Sequence, residues 1–468
     1  MLSESLKSAK DAQKGYRWVK KLVTKAYDKP IGKKKKGKRR QVVANLFVGE
    51  WTKYLETEKQ ESKIKFRGGE GYVPSDSIGE ERVLEIYFID VGQGDAILIQ
   101  TADDKRILID GGRDRSAYSF IRWKYNLRKY HKDFDAVIMT HGDTDHTGGL
   151  FPLLNDDHVL VKAIYHNGIA KRRKKPVLGK EEKVNRKKML AELYDDIEDL
   201  KPKAEELTKT YKTWVETVSK AKNRAQKNNI DFKCIRADQN TEPLVLGEEK
   251  PLKISFLNPI NLGSKNSPKL MKFGSPSKTI NGNSVAVLLE YGKARILLCG
   301  DMNEKAERQF LEHCKQETPI AHVFKANHHG SQDFTTEFLR IIQPWVTVVS
   351  SGDQPDYGHP RASLLGSLGR YAPNVIEKPL LFSTEIAATF KDVDSNSEDA
   401  DIQLYEKTNY GLINVRTNGE WLAAGRVFNK RKGKGKGRYA KSLWDWERYA
   451  FNLKDAKPLA DNLLGNTS

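Results

Sequence analysis

The alternation of hydrophobic and polar positions changes period several times along the chain. From residue 83 onward it is dominated by apolar runs bounded by glycine turns. "VLEIYFIDVGQGDAILIQT" and "RILIDGG" read as consecutive strands, and Val137, Ile138 and Met139 end another buried strand. "VKAIYHNG", "LKISFLNP", "SVAVLLEYGKARILLCGD", "HVFKANHHGS" and "WVTVVSSG" continue the series, with "NEKAERQFLEHC" and "TTEFLRII" as helices between the later ones. Strands interleaved with helices predict a layered α/β domain. Residues 41–80 alternate in strand fashion instead, with turns at Gly49 and at Gly68 and Gly69. Residues 171–229 are charge-dense, and Leu190, Leu193, Tyr194 and Ile197 recur at helical spacing, so a helical insert is expected there. The resulting organisation is a basic amphipathic helix and linker over 1–40, a small β segment over 41–80, the α/β domain over 81–428 and a basic aromatic tail over 429–468.

Charge adds a partner to this picture. The 468 residues carry 81 Lys and Arg against 62 Asp and Glu, a net charge of +19, which favours a polyanionic partner, nucleic acid ahead of an anionic membrane. Lys33, Lys34, Lys35, Lys36, Arg39, Arg40, Lys171, Arg172 and Arg173 lie in clusters too charged to be core and are candidate phosphate contacts. The three cysteines have no close-paired spacing, which argues against a disulfide framework or a thiolate zinc site and suits a reducing compartment. The chain shows no leader-like apolar segment and no run of about 18 apolar residues, so a soluble cytoplasmic protein without a membrane partner is expected.

Candidate chemistry concentrates in "THGDTDHTGG". His141, Asp143, Asp145 and His146 crowd one turn with no Lys or Arg among them, at a cost in repulsion and desolvation that a bound cation would reverse. Imidazole and carboxylate donors without thiolate suit Zn²⁺ or Mn²⁺. Asp110 is expected to orient a ligand or to be structural, and His166 to be structural. His131, His158, His313 and His322 receive no role. "DVGQGD", Asp90 to Asp95, reads as a hairpin turn, because no helix follows to form a phosphate-binding N-terminus.

"FIDVGQGDAILI", "ILIDGG", "THGDTDHTGG", "ILLCGD", "FKANHHGS" and "SSGDQPDYGHP", in this order, resemble the metallo-β-lactamase fold, and most closely the soluble hydrolase domain of the competence protein ComEC. The β segment resembles a bacterial SH3-like barrel. The resemblance implies a four-layer αββα sandwich with two divalent metal ions, Zn or Mn, at one edge of its sheets. His141 and Asp143 are then expected at the first metal, Asp145 and His146 at the second, and Asp301 bridging both. A His of the "NHHGS" turn completes the second site, with His328 favoured over His329. Asn283 stands where many members supply another His, a departure that bears on the first site. Asp145, His146 and His359 are the expected catalytic residues, with His359 at the leaving oxygen. Lys325, Ser331 and His359 are candidate substrate contacts, Ser331 having a helix cap as its competing role. The implied activity is hydrolysis of nucleic-acid phosphodiesters by a metal-bridging hydroxide, a DNA nuclease. The rivals are a hydrolase of small esters, amides or phosphodiesters and a non-catalytic binding module. A protein partner through the SH3-like segment or the insert, and a place in a bacterial defence or DNA-uptake system, complete the expectations.

Overall fold

The computed structural model describes residues 15–32, 40–66, 69–314, 320–352, 358–376, 379–384, 412–430 and 443–457. The chain divides into two compact units, one built from 1–86, 101–104 and 386–468, the other from 87–100 and 105–385.

The first unit is a seven-stranded antiparallel sheet followed, much later in the chain, by a three-stranded meander. The sheet runs Val42–Phe47, Val23–Tyr27, Gly69–Pro74, Glu61–Phe66, Trp51–Glu58, Tyr16–Val19, Ile78–Gly79 in spatial order. Its inward positions Val19, Ala26, Leu46, Ile64, Phe66 and Val73 form one buried cluster, the half-buried alternation expected of an antiparallel sheet. The β segment therefore begins at Tyr16, and the helix expected over 1–40 is replaced by two strands from Tyr16 onward. Residues 1–14 and the lysine run 33–39 lie outside the described residues. The meander pairs Ile413–Thr417 with Trp421–Lys430, and that strand with Leu443–Asn452. What reads as a tail is thus partly sheet, because Trp421, Trp446 and Ala450 bury against Phe47 and Val48. Buried Arg416 donates to Val48 O and lies over the Phe47 ring, 5.0 Å from its centroid.

The second unit holds two sheets whose strands are apolar on both faces. In the first, Lys233–Arg236, Ala163–His166, Ala136–Ile138 and Arg106–Ile109 are parallel neighbours, and Ile97–Gln100 pairs antiparallel with Arg106–Ile109. In the second, Leu244–Leu246, Leu252–Asn258, Ala286–Tyr291 and Ala294–Leu298 are antiparallel. The sheet continues in parallel through Val323–Lys325, Val346–Val349 and Leu380–Ser383. Tyr165 of one sheet meets Phe256 of the other with ring centroids 4.8 Å apart. Helices Glu304–His313, Thr336–Ile342 and Ala362–Arg370 supply Phe310, Phe338 and Leu364 to the core against the second sheet. Helix Lys209–Lys227 anchors beside the first, where Arg224 donates to Leu154 O (2.7 Å) and Val159 O (2.9 Å). Fold class is as expected, a mixed α/β layered sandwich with a β-rich N-terminal segment.

The insert is not helical throughout. Only Lys209–Lys227 forms an α-helix. Before it, Glu181–Val184 and Lys187–Leu190 make a hairpin that adds Leu270–Met271 as a third strand. Leu190 is a buried strand residue of a small core with Ile169, Leu178, Leu270 and Ile280, while Ile197 sits in a 3₁₀ turn, so their helical spacing is coincidental. No helix among the described residues is long and apolar enough to cross a membrane.

Candidate metal centre

Parallel strands deliver their chemistry at their C-terminal ends, and both sheets of the second unit do so here. Asp110 follows Arg106–Ile109, the loop from His141 to His146 follows Ala136–Ile138, Asp301 follows Ala294–Leu298, and the His328–His329 turn follows Val323–Lys325. The loop is set by its backbone. A Cβ at Gly94 would collide with the Asp145 carbonyl oxygen, and one at Gly142 with the Tyr211 hydroxyl. Two glycines thus let the "GQGD" turn and helix Lys209–Lys227 close onto the ligand loop.

Three imidazoles present the same pattern. His146 Nδ1 donates to Asp110 Oδ2 (2.7 Å), whose carboxylate also accepts Thr140 N–H (2.8 Å) and the Thr140 hydroxyl (2.6 Å). His329 Nδ1 donates to Ser350 O (3.0 Å). His141 Nδ1 faces the hydroxyl oxygens of Thr140 (3.1 Å) and Ser284 (3.3 Å), whose own protons go to Asp110 and to Asn281 O. Each Nδ1 is therefore the N–H side, and each Nε2 is left buried without a hydrogen-bond partner, as is Asp301 Oδ1. Asp301 stands between them, with Oδ1 3.3 Å from His146 Nε2 and Oδ2 3.2 Å from His329 Nε2. Asp145 Oδ2 lies 3.5 Å from His329 Nε2, and Asp143 Oδ2 3.9 Å from His141 Nε2. Donor atoms of Asp95, His146, Asp301 and His329 all fall within 4.8 Å of one another. Buried, unpartnered imidazole nitrogens converging on carboxylates fit a divalent cation.

The electrostatics agree. Burial works against the charged forms of His146 and His329, but Asp301, with Asp110 on His146 and Asp95 on His329, outweighs it and holds both imidazoles well above their usual pKa. Burial and the neighbouring His146 instead push His141 down to about 4. Burial opposes ionisation of Asp301, yet His329 and His146 hold it well below the usual carboxylate range. Burial and Asp145 raise Asp143.

The structure brings His141, Asp143, Asp145, His146, Asp301 and His329 together as expected, and amends several details. His329, not the favoured His328, lies inside the cluster. Both turn residues take left-handed backbone (φ 47° and 54°), which rolls His328 outward to a part-exposed position with Nε2 3.9 Å from Asp301. Asp95 joins the centre, although its motif reads only as a turn. Lys325 does not reach toward substrate. Its fully buried ammonium pairs with Asp95, donates to Gly300 O (3.0 Å) and lies 3.7 Å from Asp301, so its protons face inward. Ser331 does not cap the next helix: its Oγ accepts from Asp333 N (3.2 Å), while Thr335 caps Thr336–Ile342. Asn283 is structural, its amide donating to Met271 O (2.9 Å) and Thr279 O (2.8 Å). Two residues before it, the Asn281 amide lies 3.2 Å from Asp143 Oδ2, and its nitrogen is assigned to that side because a carboxylate can only accept. His359 is half-buried with its ring 5.9 Å from that of His328, and burial with the His328 and His329 charges lowers it to about 4.

Among the expected phosphate contacts, Arg40 is committed to Glu61 and Lys29 O and stacks over Tyr27, 3.7 Å from the ring centroid. Arg172 pairs with Glu192, and Arg173 binds Glu205 O. Lys171 acts on Asp143 electrostatically. Lys33, Lys34, Lys35, Lys36 and Arg39 lie outside the described residues.

Residues 89–212 match the family described as the metallo-beta-lactamase superfamily. The chain is similar to ComE operon protein 3 of Bacillus subtilis (strain 168), at 24% identity over 310 residues, 62% of this chain and 31% of that protein. It is also similar to Recombination protein 2 of Haemophilus influenzae, at 33% identity over 92 residues, 19% of this chain and 11% of that protein. The chain thus spans less than a third of the length of these curated relatives. Among solved structures, Igni18, a novel metallo hydrolase from Ignicoccus hospitalis, aligns at 14% identity over 64% of this chain and 95% of its own, with a TM-score of 0.34. The chain thus resembles the metallo-beta-lactamase superfamily over this segment and, more widely, ComEC-like proteins.

Proposed function

We propose that this chain is a two-metal phosphodiesterase that cleaves nucleic acid, DNA first, in the cytoplasm. The observation that carries the reading is the trio His141, His146 and His329, each with Nδ1 committed and Nε2 bare toward Asp301 or Asp143. His141 and Asp143 would hold one cation, Asp145, His146 and His329 the other, with Asp301 shared. A bound Zn²⁺ or Mn²⁺ would supply Lewis acidity toward a phosphoryl oxygen and a nucleophilic water at neutral pH.

The chain's own groups do the positioning. Asp110 and Ser350 O fix the ring planes of His146 and His329, so that their lone pairs point into the cluster. Buried Lys325 balances the charge of Asp95 and Asp301, so the carboxylates tolerate confinement. His359, held beside His328 at the rim, offers an N–H donor to a phosphate or leaving oxygen. The net charge of +19 supports a polyanionic substrate over a small neutral ester.

The test is hydrolysis of labelled single- and double-stranded DNA and RNA with added Mn²⁺ or Zn²⁺, beside a chromogenic phosphodiester. Metal-dependent cleavage of a nucleic acid is expected. Hydrolysis of the small ester with no cleavage of any nucleic acid would replace this reading with the small-substrate enzyme.

A further inference from the structure

The hairpin Glu181–Val184 to Lys187–Leu190 carries a large excess of cationic side chains. Lys183 and Lys188 are directly opposite in its ladder, which brings two like charges onto one face, an arrangement that destabilises a hairpin. Its two carboxylates are already neutralised: Glu181 by Lys272 (2.5 Å), and Glu182 by Lys269 (2.7 Å) and Lys180 (2.9 Å). Lys183, Arg186, Lys187 and Lys188 are all exposed and have no ion-pair partner among the described residues. Seven cationic side chains (Lys180, Lys183, Arg186, Lys187, Lys188, Lys269, Lys272) thus stand against two carboxylates, a local charge of +5.

The turn makes the same point through its backbone. Asn185 and Arg186 both have positive φ, 49° and 64°, the two-residue hairpin geometry in which glycine is the usual second residue. Arginine here accepts backbone strain and places a cation at the tip. The hairpin is also tied to the metal centre. Strand Lys187–Leu190 pairs with Leu270–Met271, Met271 O accepts from Asn283 Nδ2 (2.9 Å), and Asn281 of the same turn reaches Asp143 Oδ2 (3.2 Å).

The geometry points to this hairpin as a nucleic-acid backbone grip: Lys183 and Lys188 on one face, with Arg186 at the tip, bind successive phosphates of the strand presented to the metal centre. The identity of the polyanion rests on the phosphodiesterase reading; the cation array does not. Contacts of this kind position the substrate without reading its bases.

Three variants of the full chain test it: Arg186→Gly, the triple Lys183→Ser/Arg186→Gly/Lys188→Ser, and Lys305→Ser as a control that removes one exposed charge elsewhere. Binding to a labelled DNA duplex is followed by fluorescence anisotropy across salt concentrations. The log–log salt slope of the triple variant should be shallower by about 0.9 for each phosphate contact removed, with affinity at about 0.1 M salt lower by roughly tenfold. Arg186→Gly should bind more weakly while its melting temperature stays level or rises, since glycine relieves the turn. Lys305→Ser should bind like the parent. Metal content and hydrolysis of the chromogenic phosphodiester should persist in all variants. If the parent binds DNA with a steep salt slope and the hairpin variants match it, the grip is overturned and the phosphodiesterase reading stands. If the variants lose binding but the parent cleaves no nucleic acid, the grip stands and that reading fails. A parent that ignores DNA, but whose binding to polyglutamate falls in the triple variant, overturns the grip in favour of an acidic protein partner.

Discussion

Asp110 Oδ2 sits 2.7 Å from His146 Nδ1 and holds that ring with its lone pair toward Asp301. Asp110 does this while accepting two further hydrogen bonds from Thr140, so it also fixes the start of the ligand loop. Asp110→Asn keeps the volume but puts a donor where an acceptor is needed. Metal affinity should fall by about 10–100-fold, with circular dichroism unchanged. Titration calorimetry with Mn²⁺ or Zn²⁺ reads the change, and an unaltered affinity would reduce Asp110 to a structural residue.

The two histidines of the turn should separate cleanly. His329→Ala removes a buried Nε2 facing Asp301 and Asp145. His328→Ala removes a part-exposed ring 3.9 Å from Asp301. Metal analysis after dialysis should show a large loss in the first variant and a small one in the second. Equal losses would restore His328 as a ligand.

The difference between these neighbours explains what could be read without coordinates. His141, Asp143, Asp145 and His146 were legible because four donors within six residues of one strand end cannot scatter far. Which of His328 and His329 faces inward depends on two left-handed residues that carry no glycine to announce them. Asp95 was missed because its ligand role comes from a turn brought to the cluster by contacts across the fold, not from nearby donors in sequence. An acidic residue closing a glycine-rich turn between two buried strands was the available signal. The Glu181–Leu190 hairpin was hidden for a related reason. Its turn is Asn185–Arg186 rather than Asn–Gly, and Leu190 to Ile197 happen to match a helical period. The sheet strands from residue 83 onward were legible because both faces are buried and their apolar runs are continuous.

Glu307 sets a pH dependence of stability. It is buried, accepting from Asn327 Nδ2 (2.8 Å) and Thr335 N (2.6 Å), and burial raises its pKa from 4.5 to about 7. Between those values the folded chain keeps a proton that the unfolded chain releases, so this group's contribution favours folding below about pH 4.5 and fades as pH rises through about 7. Relative to Glu307→Gln, which cannot titrate, the parent should lose roughly 1–3 kcal/mol between these limits. Urea unfolding of both proteins at pH 5 and pH 8 reads it; parallel pH profiles would sink the idea.

A Cβ at position 142 and the Tyr211 hydroxyl are mutually exclusive occupants of one space. Gly142→Ala would drive a methyl into the Tyr211 hydroxyl and displace Asp143, lowering both metal content and melting temperature. Tyr211→Ala in the same chain opens room for the methyl and should recover part of the metal content. A double variant no better loaded than Gly142→Ala alone would show that the loop, not the helix, resists the substitution.

Phe47 and Trp446 stack with centroids 4.6 Å apart, yet nearly 400 residues separate them in the chain. At about 5–20 residues per second, a ribosome needs roughly 20–80 s to make the second ring after the first. The segment that forms the metal-bearing unit is synthesised entirely within that interval. The N-terminal sheet must therefore wait with Phe47 uncovered, and a chain whose synthesis stalls late holds every proposed metal ligand while still showing a sticky aromatic surface to chaperones and proteases.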